Sequence, residues 1–139
     1  MPFSQLPVPV IFLYCIAIAF LLIYVPFLAI AFARLNVGYD YYAPRAMFEK
    51  LPPYAQRATW AHQNCFETFP IFAAAALMAY VTGVNSPLAA WAALSFIAAR
   101  LLYSFFYISN IPMLRSLMYA IGLVCSCTLF VLSIIQANS

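Results

Sequence analysis

Hydrocarbon side chains run along this sequence in four long stretches, and polar ones collect between them. The stretches lie at roughly 8–33, 57–82, 88–108 and 115–136, each near the length of about 20 residues that a helix needs to cross a bilayer core. Pro26 should kink the first span and Pro70 the second, since neighbouring helices can re-satisfy the freed backbone groups. The connection at 83–87, Gly83-Val84-Asn85-Ser86-Pro87, is a compact turn by composition. The one around Ser109, Asn110 and Pro112 is similarly short. Short connections force consecutive helices antiparallel, so the pattern predicts an all-α, up-down-up-down bundle of four membrane helices. The remaining connection, 34–56, is long, tyrosine-rich and punctuated by prolines. A loop of that length in so compact a chain is usually functional or a partner surface.

Composition sharpens the picture. The chain is 68% hydrophobic and 6% charged, against about 25% charged residues in soluble domains. A single bilayer-embedded domain over 1–139, in contact with membrane lipids and without large soluble appendages, is the expectation. The first span lacks a basic leader and is too long for a signal peptide, so it should persist in the mature protein. The net charge of +3 is too small and dispersed for a nucleic-acid footprint. Basic residues are nevertheless one-sided. Arg34, Arg45, Lys50, Arg57 and Arg115 fall on the side of the 34–56 loop, with Arg100 in the half-span nearest it. The positive-inside rule then places that loop in the cytoplasm and both termini on the opposite side.

Ionisable groups at membrane depth are costly, about 2.5–3.5 kcal/mol each on insertion scales, and normally face a partner or a wet cavity. The densest group is Arg57 to Pro70, which holds Arg57, His62, Asn64 and Glu67 before the chain turns to plain hydrocarbon. At about 100° per residue, Asn64 and Glu67 fall about 20° and 80° from Arg57, whereas His62 falls about 140° away on the other side. Arg57, Asn64 and Glu67 therefore share a face that His62 does not. Arg100, Tyr103 and Tyr107 form a second polar face on the third span, with Ser104 beside it. Arg34 closes the first span, and Arg115 with Ser116 opens the fourth. Arginines in excess of acid predict an anionic, polycarboxylate-like ligand, because guanidinium forks match carboxylates and keep their charge. Glu67 can pair with an arginine and also take a ligand ammonium.

Plainer roles compete. Arg34 and Arg115 stand where basic side chains snorkel to headgroups, and a Glu67–Arg100 pair can be purely structural. His62, off the shared face, reads as a structural hydrogen-bonder or subunit contact. Trp60, Trp91 and the loop tyrosines suit an interfacial belt. The four cysteines, Cys15, Cys65, Cys125 and Cys127, lie in apolar stretches and read as small buried hydrophobes. One histidine without a cysteine pair makes no closed zinc site, and no phosphate loop or nucleophile elbow is present.

Four spans, a polar loop after the first, the run Arg-x4-His-x-Asn-x2-Glu-x2-Pro at Arg57–Pro70 and Arg-x2-Tyr-x3-Tyr at Arg100–Tyr107 resemble the MAPEG family. These are the membrane-associated proteins in eicosanoid and glutathione metabolism, which include microsomal glutathione transferases. The loop run from Gly38 through Tyr41 and Tyr42 to Arg45 is similar to bacterial-type members. The resemblance implies a homotrimer with glutathione bound between adjacent subunits near the cytoplasmic face. It matches Arg57, Asn64 and Glu67, Tyr103 and Tyr107, and Arg34 to glutathione-binding positions. It matches Arg115 to the arginine that stabilises the glutathione thiolate, with Ser116 beside it. Arg34 is followed by Leu35 where leukotriene-synthase-like members carry a second basic residue, which points away from eicosanoid chemistry.

The leading expectation is thus a glutathione transferase or peroxidase acting on lipophilic electrophiles or hydroperoxides, with glutathione as co-substrate. Its alternative is a non-catalytic membrane protein that binds lipid or docks on a larger complex through the 34–56 loop. A small transporter built around Glu67 is a third reading, weakened because the polar positions all lie toward one face.

Overall fold

A proline stands at the first or second position of every helix, where its missing N–H costs nothing and its fixed φ suits the first turn. The computed structural model describes residues 6–139; residues 1–5 of the expected domain lie outside them. The elements are α1 (Val8–Ile23), α2 (Val25–Val37), a 3₁₀ helix (Pro44–Lys50), α3 (Pro53–Val81), α4 (Pro87–Ile108) and α5 (Pro112–Ala137). No strand occurs among the described residues. Together α1 and α2 make one crossing, so four helical crossings are long and apolar enough to span a bilayer. The chain is a multi-pass membrane protein.

The crossings differ from expectation at their ends. The first extends to Val37 and the second begins at Pro53. The supposed loop of 34–56 therefore shrinks, and much of what is left winds into the 3₁₀ helix. Asp40 organises the approach to it, its Oδ1 accepting from the Tyr42 and Ala43 amides at 3.0 and 3.2 Å. A local side-chain turn of this kind replaces the backbone partners that a loop lacks. Pro70 lies inside a continuous α3. The first crossing breaks at Tyr24, two residues before Pro26.

That break is pinned from α3. His62 Nδ1 lies 2.6 Å from the Ile23 carbonyl oxygen. A carbonyl only accepts, so Nδ1 carries the proton and donates. His62 is a structural hydrogen-bonder, seated against Phe27 and Phe66 at ring distances of 5.4 and 5.0 Å. In a bilayer the freed carbonyl has no water to turn to.

The two short turns obey one device. Gly83 and Asn110 take positive φ of 75° and 61°, residue types that tolerate the left-handed region. Behind them Val84 N bonds Ala79 O and Ile111 N bonds Phe106 O, each at 2.9 Å. These bonds satisfy the last carbonyls of α3 and α4 in Schellman fashion.

Between helices the seam is built from small residues. Ala55, Ala58, Ala61, Ala75, Ala76 and Ala79 of α3 are fully buried, and α4 adds Ala89 and Ala93. Lipid tails are as apolar as leucine, so association relies on close backbone approach and packing. Phe72 and Phe96 lock the middle, stacked with ring centroids 3.8 Å apart and planes nearly parallel. Cys15, Cys65 and Cys125 are buried, but Cys127 is exposed on the outer face of α5, contrary to the expectation for all four.

Replacing His62 with leucine should lower unfolding stability by about 1–3 kcal/mol, the cost of a buried acceptor left unpaired. Denaturant unfolding of the detergent-solubilised protein measures it, and an unchanged midpoint would detach the break from His62.

Candidate functional site

The phase of α3 aims Asn64 and Glu67 toward the polar face of α4. There they border an open groove of about 450 Å³ walled by Trp60, Gln63, Tyr103 and Tyr107. Tyr103 and Tyr107 meet edge-on at 5.6 Å, and Trp60 lies 6.5 Å from Tyr107. Asn64 Nδ2 donates to Glu67 Oε2 at 3.3 Å. Glu67 itself is exposed to the groove.

Arg100 stands behind this wall. It is 3% exposed, and its Nη2 donates to Asn64 Oδ1 at 2.9 Å and to Cys65 Sγ at 3.4 Å. The guanidinium carbon sits 4.1 Å from the Tyr103 ring centroid, a cation–π contact that gains strength when desolvated. Ser104 Oγ, also buried, completes the cluster 3.7 Å from Cys65 Sγ. In place of the direct Glu67–Arg100 pair weighed as a structural alternative, Asn64 bridges the two. Arg100 does not line the groove.

Arg115, on α5, does not line the groove either, but its guanidinium carbon stands 4.7 Å from the ring centroid of Tyr107, which does. The remaining candidates lie elsewhere. Arg57 Nε donates to the Ile108 carbonyl at 3.0 Å, putting a cation on the C-terminus of α4, where the helix dipole favours it. Ser116 is exposed on α5 and borders neither large hollow.

Arg34 borders a second hollow, of about 550 Å³, on the other flank of α3. Phe27, Arg45, Phe48, His62 and Phe66 line it as well, and Gln63 borders both hollows. Arg34 Nε is buried there without a hydrogen-bond partner. Asn64, Glu67, Tyr103, Tyr107 and Arg115 thus come together in one protomer, while Arg34 stands apart from them. Trp60 and Gln63 were missed from sequence, although at about 100° per residue they fall around the Asn64–Glu67 direction. Reading Trp60 as a belt residue hid it. Among the described residues no cluster of His, Cys, Asp and Glu has metal-holding geometry.

The four crossings and this placement of the second- and third-span motifs agree with one family, whose pattern matches residues 11–135. The chain belongs to the MAPEG family. No curated protein and no solved structure matches it. In this MAPEG protein the groove presents a carboxylate, amides and aromatic faces, with the Arg115 guanidinium stacked on Tyr107 beside it. By their chemistry such groups are able to accept an ammonium, hydrogen-bond a peptide-like backbone and pair with an anion.

Arg57→Leu should cost about 1.5–3 kcal/mol, as for a hydrogen bond from a charged donor. Unfolding in detergent is the check. Arg57→Lys should recover only part of the loss, because an ammonium does not reproduce the Nε geometry.

Proposed function

We propose that this MAPEG protein binds glutathione at its polar end and uses it as a nucleophile against lipophilic substrates, as a transferase or peroxidase. The observation that carries this reading is the split between the two hollows. The groove supplies Glu67 for the ligand ammonium, with Tyr103 and Tyr107 beside it and Arg115 stacked on Tyr107. The second hollow supplies Arg34, whose Nε is orphaned, and Arg45. Glutathione carries one ammonium and two carboxylates, so it needs both chemistries. A head-to-tail contact that repeats around a closed ring would face one protomer's groove to its neighbour's arginines. A homotrimer is therefore part of the proposal, as are Arg57 in support of α4 and Ser116 beside Arg115.

In the reaction the thiol surrenders its proton and the resulting thiolate is stabilised by Arg115, since a nearby guanidinium lowers a thiol's pKa. For an electrophilic carbon, a C–S bond forms and the leaving group departs with its electron pair. For a hydroperoxide, the O–O bond breaks as sulfur takes the terminal OH to give a sulfenic acid, and the departing alkoxide takes up the proton the thiol released to give the alcohol. A second glutathione thiol then condenses with the sulfenic acid to give disulfide and water. Holding the thiolate in one orientation turns an encounter with a membrane-dissolved substrate into an oriented reaction. By the one-sided distribution of basic residues, this end faces the cytoplasm and both termini face away. Lack of an adjacent basic residue after Arg34 favours general thiol chemistry over eicosanoid synthesis.

A second reading rests on the connection after α2. Tyr41 and Tyr42 are 80% and 101% exposed on a turn that Asp40 holds in shape. Such a surface suits docking on a larger membrane complex without catalysis. Recovery from native membranes in stoichiometric association would favour it, and a free trimer would count against it.

Glutathione titration of the protein in nanodiscs should saturate and generate thiolate ultraviolet absorbance. Arg115→Ala should abolish that absorbance and slow turnover about a hundredfold, a typical loss for one preorganised donor. Absence of binding to the wild type would remove the glutathione reading altogether. Cross-linking should separately give a trimer, and a monomer would deny the shared site.

A further inference from the structure

We infer that Arg100 is a positioning residue, which fixes the Glu67 carboxylate at the groove through the amide of Asn64. The inference rests on the glutathione reading for its ligand, but its geometry stands apart from it. Three facts constrain the bridge. Arg100 offers only donors, the Glu67 carboxylate only acceptors, and Asn64 one of each. With Arg100 Nη2 2.9 Å from Asn64 Oδ1 and Asn64 Nδ2 3.3 Å from Glu67 Oε2, the amide has a single productive orientation. Turning it over would set donor against donor and leave the carboxylate facing an oxygen. A permanently charged neighbour therefore selects one amide rotamer, and the selected rotamer aims its N–H at Glu67.

Burial gives the bridge its stiffness. Arg100, Cys65 and Ser104 are 3%, 4% and 2% exposed, so the guanidinium cannot swing out to water. Tyr103 covers its face at 4.1 Å, and Cys65 Sγ takes a second bond from the same Nη2. Thr68 Oγ1 donates to the Asn64 carbonyl at 2.9 Å, binding the amide's own turn to the next. Glu67 is the only exposed member of the chain of contacts. One of its oxygens is engaged by Asn64 and the other is left for a cation in the groove. The charge of Arg100 thus acts on the ligand at second hand, with no contact between them.

Asn64→Asp separates this role from a purely structural one. Aspartate still accepts from Arg100, and the ion pair so formed offsets the repulsion its second oxygen meets at Glu67, so the protein should still fold with a thermal midpoint close to that of the wild type. It cannot donate to Glu67, so glutathione affinity should fall about tenfold, the scale of one charge-assisted hydrogen bond. In a Glu67→Gln background the same Asn64→Asp change, and Arg100→Lys, should each lose most of their effect on affinity. Full additivity would overturn the proposal, as would wild-type affinity in Asn64→Asp. A readout without ligand separates failure here from failure of the glutathione reading. The infrared carboxylate band of Glu67, isolated as wild type minus Glu67→Gln, should shift in Asn64→Leu and in Arg100→Lys. An unmoved band in both variants would overturn the relay even if glutathione binds.

Discussion

A guanidinium that never loses its charge, sealed inside a membrane helix bundle, dictates much of what surrounds it. Arg100 requires acceptors within reach, and α3 delivers them as Asn64 and Cys65 on adjacent residues. An aromatic ring covers its face from its own helix. Close approach of α3 and α4 makes this possible, and that approach depends on the alanine seam and the Phe72–Phe96 stack. The apolar interior and the polar site are therefore one construction. Packing brings the helices near enough for a short side-chain bond, and the bond fixes the relative register of α3 and α4.

The crossings and the main face of the site were legible in the sequence for separable reasons. Hydropathy marks a span because every residue contributes to it, and the 100° step marks a face because α3 stays helical through Pro70. Asn64, Glu67, Tyr103 and Tyr107 accordingly meet where the helical phases place them. Phase describes direction about one axis, however, and says nothing of which neighbour stands there. Arg57 shares an edge of that face yet lies too near the end of α3, and so meets the α4 terminus. Arg34 is close in chemistry and remote in position, because α2 packs on the far flank of α3.

The connection after the first crossing shows a second limit. Tyrosines and prolines at 39–53 look like a loose surface loop, but Asp40 and the 3₁₀ helix give it local hydrogen bonds that composition does not reveal. Met47 is buried within it, so the segment packs onto the bundle and supplies Arg45 and Phe48 to the second hollow. Its exposed large aromatic side chains are Tyr41 and Tyr42.

The break at Tyr24 divides the first crossing into two stiff rods that share a single joint. Only the lower rod, α2, carries Arg34, and the histidine pinning the joint also lines the hollow beneath it. The pitch of that rod therefore governs how far the Arg34 head stands from α3. The hollow's width is thus shared between that joint and the seat of the 3₁₀ helix, since α2 brings Arg34 to its lining and the 3₁₀ helix brings Arg45 and Phe48.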